Sequence, residues 1–108
     1  MYEVIIQPPA ESFIKSLKKE EQTKLLDVIE RLEKNPRLGK ELKGKLFGLR
    51  SLRVDTNEDT YRIIYKVEDI KLIVLVLQAG YRENIYRKRI GNKWLGFSKD
   101  KLPNVFLN

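Results

Sequence analysis

The chain has 108 residues, 22 Lys and Arg against 15 Asp and Glu, a net charge of +7, no cysteine and no histidine. That length suits one domain with a modest core. The missing residue types exclude disulfides, thiolate and histidine catalysis and most side-chain zinc sites. Any catalysis must therefore run on Asp, Glu, Lys, Arg, Tyr, Ser or Thr.

The start, MYEVIIQPPAES, shows no basic n-region and no small-residue cleavage site. No apolar run approaches the roughly eighteen residues of a membrane helix. Both readings, with the absence of cysteine, predict a cytoplasmic protein that no membrane holds. Tyr2 to Gln7 is a β-branched run closed by Pro8-Pro9, hence a short strand. Pro9 suits the first turn of a helix, whose apolar face carries Phe13, Ile14 and Leu17. Lys18 to Glu21 reads as a polar break or tight bend. A second helix follows with Leu25, Leu26, Val28, Ile29 and Leu32 inward. Glu20–Lys24, Asp27–Arg31 and Glu30–Lys34 are spaced as i,i+4 ion pairs, each worth about 0.3–0.5 kcal/mol. Asn35-Pro36 stops the helix.

Residues 37–45 look like a loop, with Gly39, Gly44 and the cations Arg37, Lys40, Lys43 and Lys45. Three strands are predicted near 46–54, 60–67 and 71–78. Asn57-Glu58-Asp59 and Glu68-Asp69 form the turns between them. Such short connections make an antiparallel meander. After Gly80, YRENIYRKRI is read as a helical turn or short helix. The tail from 91 carries Trp94, Leu95, Phe97, Leu102, Val105, Phe106 and Leu107, too apolar for a free appendage. It is expected to pack as an extension, 91–108, on a domain spanning 1–90.

Charge is uneven along the chain. Residues 1–36 hold six basic and seven acidic side chains, a net of −1, whereas residues 37–108 hold sixteen and eight, a net of +8. An anionic partner is expected on the second half. Arg53, Arg62 and Arg82 recur near strand ends there and Tyr86 closes the run. Guanidinium groups converging on one sheet face suit phosphate oxygens, because they bind in a bidentate manner and stay charged. Each has a structural alternative: a surface pair with Glu58, Asp59 or Glu83 for Arg62 and Arg82, a strand-end cation for Arg53, a packed ring for Tyr86. Arg50 has the opposite strand parity and faces away. The 37–45 cations and Arg87-Lys88-Arg89 are read as nonspecific backbone contacts or solvated charge.

The order strand, helix, helix, meander, with LRV…YRIIYKV…AGYRENIY, resembles the RelE/ParE toxin superfamily from about Tyr2 to Tyr86. The resemblance implies an α+β fold, with an N-terminal strand and two-helix hairpin packed on a mainly antiparallel sheet. It implies a toxin paired with a cognate RelB-like antitoxin, whose acidic amphipathic segment covers the basic face or a groove beside the helices. RelE-like members cut messenger RNA in the ribosomal A site without a cofactor. ParE-like members inhibit DNA gyrase. On the RelE-like side the resemblance implies a catalytic set in which Arg53 is a basic residue, Arg62 contacts the scissile phosphate, Arg82 is another phosphate-contacting arginine, and Tyr86 stacks on a base and orients the nucleophilic ribose. Lys40, Lys43, Lys45, Arg87, Lys88 and Arg89 would hold RNA. Two departures stand out. Ser51 replaces a further lysine, and the histidine some branches carry after the last strand is absent, with Tyr81 nearby. The alternatives are a gyrase inhibitor or an inactive relative that only binds protein. No metal is expected, since no carboxylate cluster resembles a two-metal site.

Overall fold

The computed structural model describes residues 1–83 and 85, together with the backbone strands Arg89–Ile90 and Lys93–Trp94. In chain order they form β1 (Glu3–Ile6), α1 (Pro8–Lys15), α2 (Lys19–Glu30), β2 (Lys40–Glu41), β3 (Arg50–Asp55), β4 (Thr60–Glu68), β5 (Ile73–Tyr81), β6 (Arg89–Ile90) and β7 (Lys93–Trp94). Single 3-10 turns follow α2 at Arg31–Glu33 and precede β3 at Gly44–Leu46. The main sheet runs β1-β5-β4-β3-β2; β1 lies parallel to β5 and the other pairs are antiparallel. β6 and β7 make a separate antiparallel pair. The expected α+β architecture is present.

The helices cover one face of the sheet. Ala10 and Ile14 of α1, with Leu25, Ile29 and Leu32, pack on Leu52, Val54, Tyr61, Ile63, Tyr65, Val74, Val76 and Ala79. Period-2 alternation sends those strand residues to the helical side and their neighbours to the other. That outer face is not uniformly wet. Leu49, Ile64, Leu77 and Ile85 form a second buried cluster on it, capped by Leu42 and Leu46. The rest of the face, toward Arg53 and Arg62, is polar.

A bulge reconciles the two faces. The β4–β5 ladder steps from Ile64↔Gln78 to Tyr65↔Val76, leaving Leu77 as the extra residue. Parity on β5 therefore switches, from Val74 and Val76 to Ala79 and Tyr81 on the helical side. Leu77 turns into the outer cluster, and Gly80 comes opposite Arg62.

Several expectations need correction. Residues 37–45 are not all loop: Lys40 and Glu41 pair with Ser51 and Arg50. β3 starts at Arg50, because Gly48 takes φ +98° and Gly44 φ +65°, conformations that end the extended run before it. β5 continues to Tyr81, and Arg89–Ile90 is strand, so 81–90 is not one short helix. Leu26 is 41% exposed rather than inward. Lys19 to Glu21 is the first turn of α2, not a break. Among the described residues the one i,i+4 helix ion pair is Glu11–Lys15 at 3.8 Å; Lys18 instead reaches Glu58 at 3.0 Å. Exposed pairs are worth too little to hold long side chains in place. The proposed extension 91–108 lies outside the described residues except for the backbone of Lys93–Trp94.

Candidate nucleic-acid interface

The outer face near the β3–β4 turn gathers the strand arginines. Arg53 and Arg62 are register partners on adjacent strands, and alternation sends both away from the helices. Two like charges directly opposite repel, so each needs an acceptor. Arg53 Nε donates to Asp55 Oδ1 at 3.0 Å. Arg62 Nη1 donates to Ser51 Oγ at 3.3 Å. Ser51 is buried, so its hydroxyl is a fixed partner under the Arg62 guanidinium rather than a second cation. On its other side Arg62 faces Gly80, which has no side chain to cover it.

Arg82 joins from the end of β5. Its backbone N–H donates to the Thr60 carbonyl at 2.9 Å, one step beyond the β4–β5 ladder. Its side chain is exposed and its charge acts on Asp55. The Asp55 carboxyl accepts from Arg53 and, at 2.9 Å, from Thr60 Oγ1. The Arg53 hydrogen bond first, then Thr60 and the arginine charges, hold it below its ordinary 3.8. Arg53, Arg62, Arg82 and Asp55 thus share one end of one face. Among the described residues no ion pair joins Arg62 or Arg82 to Glu58, Asp59 or Glu83: Glu58 pairs with Lys18, and Asp59 Oδ1 accepts from the Thr60 N–H.

Lys40, Lys43 and Lys45 are exposed on β2 and the turn after it, beside β3. Tyr86, Arg87 and Lys88 lie outside the described residues. Arg89 is described only as backbone of β6. Arg50 faces away as expected and donates to the Gly39 carbonyl at 2.7 Å.

Two supports of this end were not anticipated. Glu21, on the α2 stripe with Leu25, Ile29 and Leu32, is 7% exposed. It accepts from Thr56 Oγ1 at 2.5 Å and from the Tyr61 hydroxyl at 2.8 Å. Thr56 Oγ1 in turn accepts the Glu58 and Asp59 N–H groups, which shapes the β3–β4 turn. Those hydrogen bonds, Thr56 first, lower the Glu21 pKa, while burial and Glu21 itself raise that of Tyr61. The signal was the i,i+4 spacing of Glu21 to Leu25, which put a carboxylate on an inward stripe. Tyr61 also packs against Phe13 edge to face and against Tyr81 with rings tilted, beneath the arginines, at ring distances of 6.0 and 5.3 Å.

Beside this face, a groove of about 360 Å³ runs between α2 and β3. Lys24, Val28, Arg31, Leu38, Leu52, Arg53, Val54 and Asp55 line it. β2 pairs only with Arg50 and Ser51, so the β3 edge from Leu52 to Asp55 is open to the groove. Among the described residues no group of three or more His, Cys, Asp or Glu is placed to hold a metal, and no helix is long and apolar enough to cross a membrane.

Comparison with known proteins bears on this geometry. Residues 4–89 match the family model of the ParE-like toxin of type II bacterial toxin–antitoxin systems. The toxin–antitoxin complex RelBE2 from Mycobacterium tuberculosis contains a chain 26% identical, with a TM-score of 0.67, covering 75% of this chain and 98% of that one. The intact Escherichia coli RelBE complex gives 22% identity and a TM-score of 0.64 over 75% and 96% of the two chains. The archaeal RelE–RelB complex from Pyrococcus horikoshii gives 24% and 0.55 over 75% and 94%. No curated protein matches the chain.

Proposed function

We propose that this chain, which belongs to the ParE-like toxins of type II bacterial toxin–antitoxin systems, works as a RelE-type endoribonuclease that cuts messenger RNA in the ribosomal A site. The observation that carries the reading is the cross-strand pair Arg53–Arg62 with Arg82 at the same end of the outer sheet face, in its polar part. Three guanidinium groups there attract the anionic oxygens of a scissile phosphodiester and the further charge that develops on the phosphorane. Cleavage by attack of the ribose 2′-hydroxyl needs in-line alignment, loss of its proton and neutralisation of the phosphorane. Arginines supply the last, each worth about 2–4 kcal/mol by analogy with an oxyanion donor. The ribosome supplies much of the alignment. Lys40, Lys43 and Lys45, with Arg87, Lys88 and Arg89, hold the RNA backbone, and Tyr86 stacks on a base. The reaction draws on no cofactor or metal and takes place in the cytoplasm.

A cognate antitoxin is the expected partner, as the three solved structures named above are toxin–antitoxin complexes. An acidic amphipathic segment complements Lys24, Arg31 and Arg53 along the α2–β3 groove and neutralises the face that binds RNA.

Two observations favour the gyrase-inhibitor reading. Ser51, where a lysine would add charge, leaves Arg62 anchored to a hydroxyl, and the matching family is described as ParE-like. Translating one reporter messenger with added protein, followed by primer extension, separates the two. Cuts in codon register are expected for the nuclease. Intact messenger with failure of gyrase supercoiling would establish the alternative.

A further inference from the structure

We infer that Asp55 is the proton acceptor of the cleavage step, taking the proton of the attacking 2′-hydroxyl. The inference rests on the nuclease reading above.

Few groups are available for this job. The chain contains no histidine or cysteine, and an arginine does not give up its proton in a protein. Asp55 is the carboxylate that hydrogen-bonds within the arginine group: it receives Arg53 Nε and the Thr60 hydroxyl through one oxygen, Oδ1. Its side chain remains 60% exposed, so the carboxylate is reachable from the face that would receive RNA. It shares strand parity with Ser51 and Arg53, and Asp55 and Thr60 are register partners. Thr60 is also the residue whose carbonyl holds the Arg82 backbone.

An anion beside a phosphate site weakens binding through like-charge repulsion. Arg53 on its own strand, Arg82 just beyond the end of β5, and Lys24 and Arg31, which line the same groove, lie around it. That surplus of cations keeps Asp55 ionised and offsets the repulsion. A carboxylate so held is a weak base but a permanently available one, and Asp or Glu in general-base roles contributes about 10²–10⁴-fold.

The 2′-hydroxyl proton passes to the Asp55 carboxylate as the 2′-oxygen bonds to phosphorus. The bond from phosphorus to the 5′-oxygen breaks, and that oxygen leaves with the electron pair and takes a proton from water. Protonated Asp55 returns its proton to the hydroxide so formed. The products are a 2′,3′-cyclic phosphate and a free 5′-hydroxyl.

The opposing explanation is structural: Asp55 merely relieves the Arg53–Arg62 repulsion. Asp55→Asn separates the two, because its amide oxygen still accepts from Arg53 and Thr60 while the base is gone. Single-turnover cleavage on programmed ribosomes, affinity for the same ribosomes and the melting temperature are measured for the parent, D55N and D55E. Expected for D55N is a cleavage rate lower by about 100-fold or more, with affinity equal or tighter and melting unchanged. D55E, with its carboxylate displaced by one methylene, recovers part of the rate. Cleavage by D55N at the parental rate overturns the assignment, as does loss of cleavage that parallels loss of affinity or of folding. A parent chain that leaves the messenger intact refutes the nuclease reading itself, and the role of Asp55 with it.

Discussion

Arg62 is the side chain on which the interface turns. It stands between Arg53 on β3 and Gly80 on β5, anchored by a neutral hydroxyl at 3.3 Å. Arg62→Ala, or Arg82→Ala, is expected to lower single-turnover cleavage at least tenfold, a modest share of the loss seen for an oxyanion donor. Far-ultraviolet circular dichroism should be unchanged, because neither side chain belongs to a core cluster. Equal rates for mutant and parent would remove both residues from the site. Gly39 is a structural counterpart. A Cβ there would lie 2.8 Å from the Ser51 carbonyl oxygen and 2.9 Å from the Tyr65 ring and hydroxyl. That hydroxyl accepts the Gly39 N–H and donates to the Pro36 carbonyl, both at 2.8 Å. Gly39→Ala is expected to cost about 1–3 kcal/mol in urea unfolding, by pushing the 36–39 segment off β3 and β4.

At the scale of elements, α2 is fastened to the β3–β4 turn by a carboxylate. Glu21 is held in its charged form by Thr56 and Tyr61, so its pKa falls below the ordinary 4.5. Asp55, through Arg53, and Asp69, through Tyr2 and Arg37, are lowered in the same way. A carboxyl with a lowered pKa in the fold contributes stability above its unfolded value, and that contribution disappears as pH falls through the folded one. Urea midpoints should therefore decline as pH drops below about 4.5. Glu21→Gln should be less stable than the parent at pH 7, and the gap should close toward low pH, where the parent's own Glu21 is protonated. A gap that stays constant with pH would mean that packing of the side chain, not its charge, joins α2 to the turn.

Across the molecule, what could be read in advance divides along the range of the forces involved. Alternation and short turns depend on neighbours in sequence, so the element order and the three meander strands were legible, as was the outward parity of Arg53 against Arg50. Features made by contacts distant in sequence were not. Lys40–Glu41 is strand only because Ser51 and Arg50 lie beside it. The Leu77 bulge depends on how β4 and β5 align their buried residues, and nothing in KLIVLVLQAG marks which apolar residue is the extra one. Asp55 shows the same limit at the interface. Its parity with Arg53 was visible, but its hydrogen bond to Thr60 and its nearness to Arg82 come from the closed turn.

The whole-chain charge asymmetry gives a final prediction. If RNA lies across Arg53, Arg62 and Arg82 and reaches Lys40, Lys43 and Lys45, about six phosphates lose their counterions on binding. For a single strand the logarithm of the binding constant should then fall with the logarithm of salt concentration with a slope near −4, roughly −0.7 for each phosphate contact. Lys43 and Lys45 are exposed on the turn before β3 and outside the core, so replacing both with Gln should leave folding intact. The slope should become shallower by about 1.4, with weaker binding at every salt concentration and no change in preference among RNA sequences, because phosphate contacts carry no base information. Fluorescence anisotropy with a short single-stranded RNA from 50 to 300 mM salt, roughly the range over which such slopes are resolved, measures this directly. An unchanged slope in the double variant would place the RNA away from the β2–β3 turn. A slope near zero in the parent would mean that the basic half of the chain serves a protein partner instead.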